Sequence, residues 1–221
     1  MKLKLLTPLA IAACIAFTSC KDKKNETTTE DAAIVAEASA EALTYTVDTT
    51  ASIIDWKGSK PTGNHTGTIN VKSGTVTVKN DSLESGSFVI DMNSITDTDL
   101  KPGEGKEDLE AHLKGSVPEK MDHFFNVKEY PEGKFEVTGL TNVDGKDMLE
   151  GNLTLKDTTK KIAFPVKITF DGDTMLLDSE TFTIDRTKWN VNYGSKTVFD
   201  NLGDKFINDD IELTVHVRAT K

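Results

Sequence analysis

The sequence predicts an all-β domain folded as one antiparallel sheet, closed as a barrel or packed as a sandwich. Three observations carry this. Apolar residues alternate with polar ones at period two through much of the chain. Gly-, Asn- and Asp-containing turns separate about eight or more such runs. No strand–helix–strand spacing of the kind that builds parallel sheets is present.

The longest signal is Leu149 to Phe170. Leu149, Gly151, Leu153 and Leu155 share one face, and Ile162, Phe164, Val166, Ile168 and Phe170 resume it after the polar link DTTKK. Two alternating runs with a short link read as a hairpin. Pro165 lacks a ladder donor and belongs at an edge, a bulge or a non-bonded position.

Taken in order, Thr44 to Asp48 starts the fold, and Ser52 to Ser59 is a strand with Ile54, Trp56 and Gly58 on one face. Gly63 to Gly67 reads as a turn. Thr68 to Val78 reads as a hairpin with Ser73-Gly74 at its tip, because Ile69 and Val71 share one parity and Val76 and Val78 the other. Asn80 to Gly86 turns the chain again. Phe88, Ile90 and Met92 line the next strand, and the pattern breaks at Thr96.

Lys106 to Lys114 is the best helix candidate, with Leu109 and Leu113 four apart and Gly115 and Pro118 beyond its end. His123 to Tyr130 is an aromatic connection. Phe135, Val137 and Gly139 start a strand that turns at Asp144-Gly145. After the central hairpin, Phe182, Ile184 and Arg186 share a face. Thr187 to Lys205 is irregular, and Ile211, Leu213, Val215 and Val217 point inward from the last strand. Gly58, Gly139 and Gly151 interrupt apolar faces; they relieve bends, or leave room for a ligand.

The first residues are not fold. Met1 to Lys4 is basic, and Leu5 to Phe17 is an apolar run too short to span a bilayer. Thr18-Ser19-Cys20 then resembles the lipobox of bacterial lipoproteins. The organisation expected is a lipoprotein signal peptide over 1–19, a flexible polar tether over 20–43 and the β domain over 44–221. Cys20 is the lipid anchor, and the membrane is a partner through it. A short helix over Ala32 to Ala42 would be marginal alone.

Cys14 lies in the discarded segment, so with Cys20 lipidated no thiolate remains for catalysis or metal binding. The net charge is −10, with no basic block after residue 24, which disfavours nucleic acid. Gly-x-Ser-x-Gly and HExxH are absent, no Gly-rich phosphate loop follows a strand, and the acids near Glu104 to Glu110 suit a helix start. No catalytic residue, no metal site and no resident cofactor are expected. In particular, His65, His112 and His123 have no recognisable ligand spacing.

Several motifs in order then resemble the YceI-like family: YTVD and SIIDWKGSK, SGSFVIDMNSI, HLKG, FFNVKEYP with GKFEVTG, GNLTLKDTTKKIAFPVKI, FTIDRTKW and IELTVHV. The resemblance runs from about Tyr45 to Lys221. It implies an extended eight-stranded antiparallel barrel of lipocalin-like shape with a short helix between strands. It also implies a periplasmic or surface-facing location in the cell envelope. The implied cargo is a polyisoprenoid chain, such as a polyprenyl lipid or an isoprenoid quinone, carried or sequestered without catalysis.

Two departures fall where a ligand head could lie. DLEAHLKGS keeps His112 and Leu113 but lacks the family's first Arg and has Lys114 for the second. Arg186-Thr-Lys-Trp189-Asn190 replaces the usual Arg-x-x-Phe-Gly.

The candidate ligand wall is Trp56, Phe88, Ile90, Phe135, Phe164, Val166, Phe182, Ile184 and Trp189, although aromatics on alternating strands also simply fill cores. His112 lies near the apolar side of its helix and can hydrogen-bond across the mouth. Arg186, if its strand stays regular, points inward and must meet a carboxylate, carbonyls, water or a polar head. The hypothesis is that it anchors the polar end of a lipid. The alternatives are an envelope interaction protein with a filled core, contacting partners through 96–108 and 187–205, and a lipid hydrolase or isomerase. A homodimer is compatible with all three.

Overall fold

The structure is a computed structural model that describes residues 27–221. The expectations for the signal peptide and for Cys20 lie outside the described residues.

The strands are β1 (Glu30–Asp31), β2 (Leu43–Val47), β3 (Ile53–Lys60), β4 (Gly63–Lys79) and β5 (Ser82–Asp97). After helix α1 (Lys106–Lys114) come β6 (Glu132–Val143), β7 (Lys146–Leu155), β8 (Thr158–Asp171), β9 (Thr174–Ser179), β10 (Phe182–Asp185) and β11 (Asp210–Thr220). Every pairing is antiparallel.

The expected eight-stranded lipocalin-like barrel is corrected. The described residues form one eleven-stranded sheet with neighbour order β1-β8-β7-β6-β5-β4-β2-β11-β10; β3 also joins β11 to β4, and β9 joins β11 to β8. Long strands change partners along their length: β11 meets β10, β3, β9 and β2 in turn. Counting alternating runs sees each long strand once and misses the short pieces that pair beside it.

The Thr68–Val78 hairpin is also corrected. β4 runs unbroken through Ser73-Gly74, with register shifts against β5 at Thr68/Asn70, Val71/Ser73 and Thr77/Val78. A bulge inserts a residue and flips the side-chain parity. That is why Val71 and Val76 are both buried although one is odd and the other even. The turn lies instead at Asn80-Asp81, both at positive φ (50° and 58°), between paired Lys79 and Ser82. Arg186 is a third correction: β10 ends at Asp185, and Arg186 opens a 3₁₀ turn to Trp189.

Gly63 to Gly67, expected as a turn, is instead the paired start of β4, with the turn at 61–62, and Ser82 to Gly86, expected within a turn, already belongs to β5. α1 ends at Gly115, whose φ of 72° is left-handed, and its amide donates back to His112. Asp144-Gly145 makes the two-residue turn between β6 and β7. The β7–β8 link is shorter than DTTKK: Leu155 already pairs with Thr158. Pro165 lies one residue outside the β8–β9 ladder, whose last pair is Val166–Ser179.

Residues 27–43 form no helix and lie across the sheet. Glu30 and Asp31 pair with Lys161 and Lys160 on β8, and Ala33 exchanges two hydrogen bonds with the buried Asn152 side chain on β7 (2.9 and 2.7 Å). The Ala36 amide donates to the Val137 carbonyl of β6 at the bulge there, and the Ser39 amide donates to Glu84 on β5. The strap thus supplies a donor to a carbonyl at a broken stretch of ladder.

The three glycines of interest have three different roles. A Cβ on Gly151 would lie 2.2 Å from Cζ of Phe135, so the tip of the ring occupies the space that a side chain there would need. Gly139 sits at the β6 bulge. Gly58 faces open space. Gly151→Val should therefore destabilise the fold by about 1–3 kcal/mol, read as a lower urea midpoint, whereas Gly58→Ala should leave the midpoint within about 0.5 kcal/mol.

Candidate functional site

The inner faces of the sheet do not meet. They enclose a cavity of about 430 Å³, a size typical of small-ligand sites. β5, β6, β7 and β8 contribute Phe88, Ile90, Phe135, Leu149, Leu153 and Phe164; β10 contributes Phe182 and Ile184. β3, β4 and β11 contribute Trp56, Ile69, Ile211, Leu213 and Val215, which pack on the core while keeping part of their surface uncovered. Phe164 and Phe182 stack at 4.2 Å, and Phe135 tilts against both Phe88 and Phe164.

Polar groups gather at one end. Ser59 and Lys60 come from the end of β3, Asn64 and His65 from the start of β4, His112 from α1, and Arg186, Tyr193, Lys205 and Asn208 from the segment before β11. These pieces are tied together, since the Asn208 amide donates to the Ser59 carbonyl and Tyr193 meets the His112 ring edge-on at 5.0 Å. Lys60, Asn64, Tyr193 and Lys205 are exposed, so this end opens to solvent.

Of the residues expected at the site, Trp56, Phe88, Ile90, His112, Phe135, Phe164, Phe182, Ile184 and Arg186 lie in the cavity wall. Val166 and Trp189 are buried but not in the wall. Trp189 is fully buried and donates its indole N–H to the Leu153 carbonyl at 2.9 Å. Sequence reasoning missed Phe124, Phe125, Val191, Tyr193 and Ile207, which come from irregular segments without a period. Leu109 and Leu113 were legible as the apolar side of α1, and Ile211 to Val217 as the inner face of β11.

Arg186 is 2 % exposed. Its Nε donates to Asn208 O at 3.1 Å, Nη1 to Val191 O at 2.5 Å and Nη2 to Ile207 O at 3.1 Å, with Asp209 Oδ1 at 3.6 Å from Nη2. Burial pulls the guanidinium's pKa down, and the charges of Asp209 and Asp185 oppose that pull. Three of its five donors thus fold the segment 191–208 back over the cavity end.

His112 and His123 share a 2.8 Å hydrogen bond between Nε2 and Nδ1, and His123 stacks on Tyr193 at 4.0 Å. Burial lowers the His112 pKa, and the charges of His123 and Lys120 lower it further. The bond needs a lone pair on one of the two rings, so it is lost if both become charged.

A chain-wide family match accompanies this geometry: residues 45–219 match the YceI-like domain. The chain belongs to the YceI-like family. Two solved structures share the fold. BcnA of Burkholderia cenocepacia is 20 % identical, with a TM-score of 0.60 over 79 % of this chain and 99 % of that one. A polyisoprenoid binding domain from Saccharophagus degradans, implicated in plant cell wall breakdown, is 15 % identical, with a TM-score of 0.54 over 80 % of this chain and 97 % of that one. No curated protein matches the chain. The YceI-like fold here presents a cavity suited to an apolar ligand.

Arg186→Ala should cost about 3–5 kcal/mol in urea unfolding, because buried carbonyls and Asp209 lose their partner. Arg186→Lys should recover only part of this, since an ammonium cannot span three divergent carbonyls. For His112, a folded pKa below the usual value means that the unfolded chain binds the proton more readily. Stability is then lost as pH falls through the unfolded value near 6.5. Melting temperatures between pH 7 and 5 should fall less steeply in His112→Gln than in the native protein.

Proposed function

We propose that this protein binds an extended apolar lipid, a polyisoprenoid chain or an isoprenoid quinone, and carries or sequesters it in the cell envelope. The observation that carries the reading is the cavity of about 430 Å³ between apolar strand faces, with its polar groups confined to one end. A chain with a long apolar body and one polar head has the same distribution. Affinity would come mainly from burial, at about 25 cal/mol per Å² of apolar surface before ordering costs. The polyisoprenoid binding domain of Saccharophagus degradans, which shares the fold, supports this choice of ligand class.

The same proposal includes an extracytoplasmic location and membrane attachment through a lipid on Cys20. The basic start, the apolar run Leu5 to Phe17 and Thr18-Ser19-Cys20 support it. The polar groups from Ser59, His112 and Tyr193 stand where a head group would rest.

Native mass spectrometry of protein from its source cells, before and after organic extraction, tests the reading. The expected result is one discrete apolar adduct, removed by extraction and restored by added polyprenol or quinone. An unmodified mass with no uptake of either would overturn it. Gly58→Leu places a side chain in open space at the wall and should weaken uptake about tenfold, the equivalent of roughly 55 Å² of apolar contact. Its urea midpoint should stay near that of the native protein. Metabolic labelling with palmitate should mark the native protein and not Cys20→Ser.

A further inference from the structure

The register of β4 and β5 places three metal-ligating side chains together at the polar end of the cavity. Gly67 pairs with Asp97, so His65 lies across the ladder from Asp99, with Asp97 beside both. The atoms meet as the register requires. His65 Nδ1 is 3.0 Å from Asp99 Oδ2 and 3.8 Å from Asp97 Oδ2. One ligand atom from each residue lies within 4.8 Å of the others.

Asp97 makes the cluster unusual. Its side chain is fully buried. One carboxylate oxygen accepts from the Leu100 amide at 2.8 Å, but Oδ2 has no hydrogen-bond partner and faces the other two ligands. A buried carboxylate oxygen left unpaired beside a second carboxylate is costly, and a cation answers both problems.

The local backbone builds this arrangement. Between Asn70–Asp91 and Thr68–Thr96, β4 spends one residue while β5 spends four, Met92 to Ile95. That bulge reverses the β5 parity, so Ile95 and Asp97 are buried in place of the even-numbered series Phe88, Ile90 and Met92. Gly67 has no side chain to compete for the space; a Cβ there would lie 1.9 Å from the Thr96 carbonyl. The supporting shell is in place as well. The Thr66 amide donates to Asp99 Oδ1 at 2.6 Å, and Glu110 of α1 accepts from the Asp97 amide at 3.0 Å.

We propose that His65, Asp97 and Asp99 form a divalent transition-metal site of the zinc type, one imidazole nitrogen and two carboxylate oxygens, at the polar end of the cavity. Two ligands about 2 Å from a shared tetrahedral ion lie roughly 3.3 Å apart, which the 3.0 and 3.8 Å separations bracket. The mixed nitrogen and oxygen set suits zinc better than magnesium or calcium, which take oxygen alone. Three protein ligands leave a fourth position open. His65 also belongs to the cavity wall, so the ion sits at the end where the cavity meets solvent. The site stands on its own ligands and does not depend on the identity of the lipid.

Equilibrium dialysis of tag-free, chelator-stripped full-length protein against Zn²⁺, with metal read by mass spectrometry, tests the site. About one equivalent per chain should bind. Asp97→Asn, Asp99→Asn and His65→Gln should each weaken binding by about 100-fold or more, beyond the usual effect of losing an outer-shell partner. The asparagine variants keep the oxygens that cap Leu100 and Thr66, and their urea midpoints without metal report the fold. Zn²⁺ should raise the midpoint of the native protein and leave that of Asp97→Asn unmoved. Equal binding by native protein and Asp97→Asn would overturn the proposal. So would absence of Zn²⁺ binding by the native protein, whatever the metal-free midpoint of Asp97→Asn.

Discussion

The structure depends on how its aromatic rings are held against the sheet. Phe135 lies over Gly151, and Trp56 over Gly67, where a Cβ would fall 2.2 and 2.5 Å from ring atoms. Rings that fold back on glycine backbone do not reach across the interior. The cavity persists because the wall is already packed laterally, ring on glycine and ring on ring, from Phe88 through Phe135 and Phe164 to Phe182. The lumen therefore combines a well-packed lining with unfilled space.

The polar end follows a different logic. Arg186 is buried, yet its donors reach the carbonyls of Val191, Ile207 and Asn208 and so shape the segment that closes over the cavity. α1 brings Leu109, His112 and Leu113 to the same end and is joined to that segment through the His112, His123 and Tyr193 rings. The side chains at this end are therefore already positioned, with little left to order when a ligand binds. At the same end the fully buried Asp97 side chain keeps one carboxylate oxygen, Oδ2, without a hydrogen-bond partner.

Outside the sheet, residues 27–42 act as a strap that crosses β8, β7, β6 and β5 before β2 joins the ladder. Its bonds reach Asn152, which is buried on the outer face, and the Val137 carbonyl at a bulge. Both are polar groups that water would otherwise have to satisfy.

Much of the fold was legible because side-chain period is a local property. Alternation alone marks the inner faces of β5, β7, β8 and β11, and glycine placement alone delimits α1. The wall residues Phe88, Ile90, Phe135, Phe164, Phe182 and Ile184 were legible for the same reason. Tertiary structure decided what local pattern cannot carry. Bulges in β4 and β5 reverse parity, so Ser73-Gly74 lies in mid-strand rather than at a turn, and Asp97 is buried. Long strands share several partners, so the sheet has eleven strands rather than eight. Apolar residues cover the inner face whether a core is filled or hollow; only the distance between opposing faces, set by pairings far apart in the chain, leaves the cavity open. His65 and Asp97 are likewise unremarkable in sequence and become a possible ligand pair only through the pairing of Gly67 with Asp97.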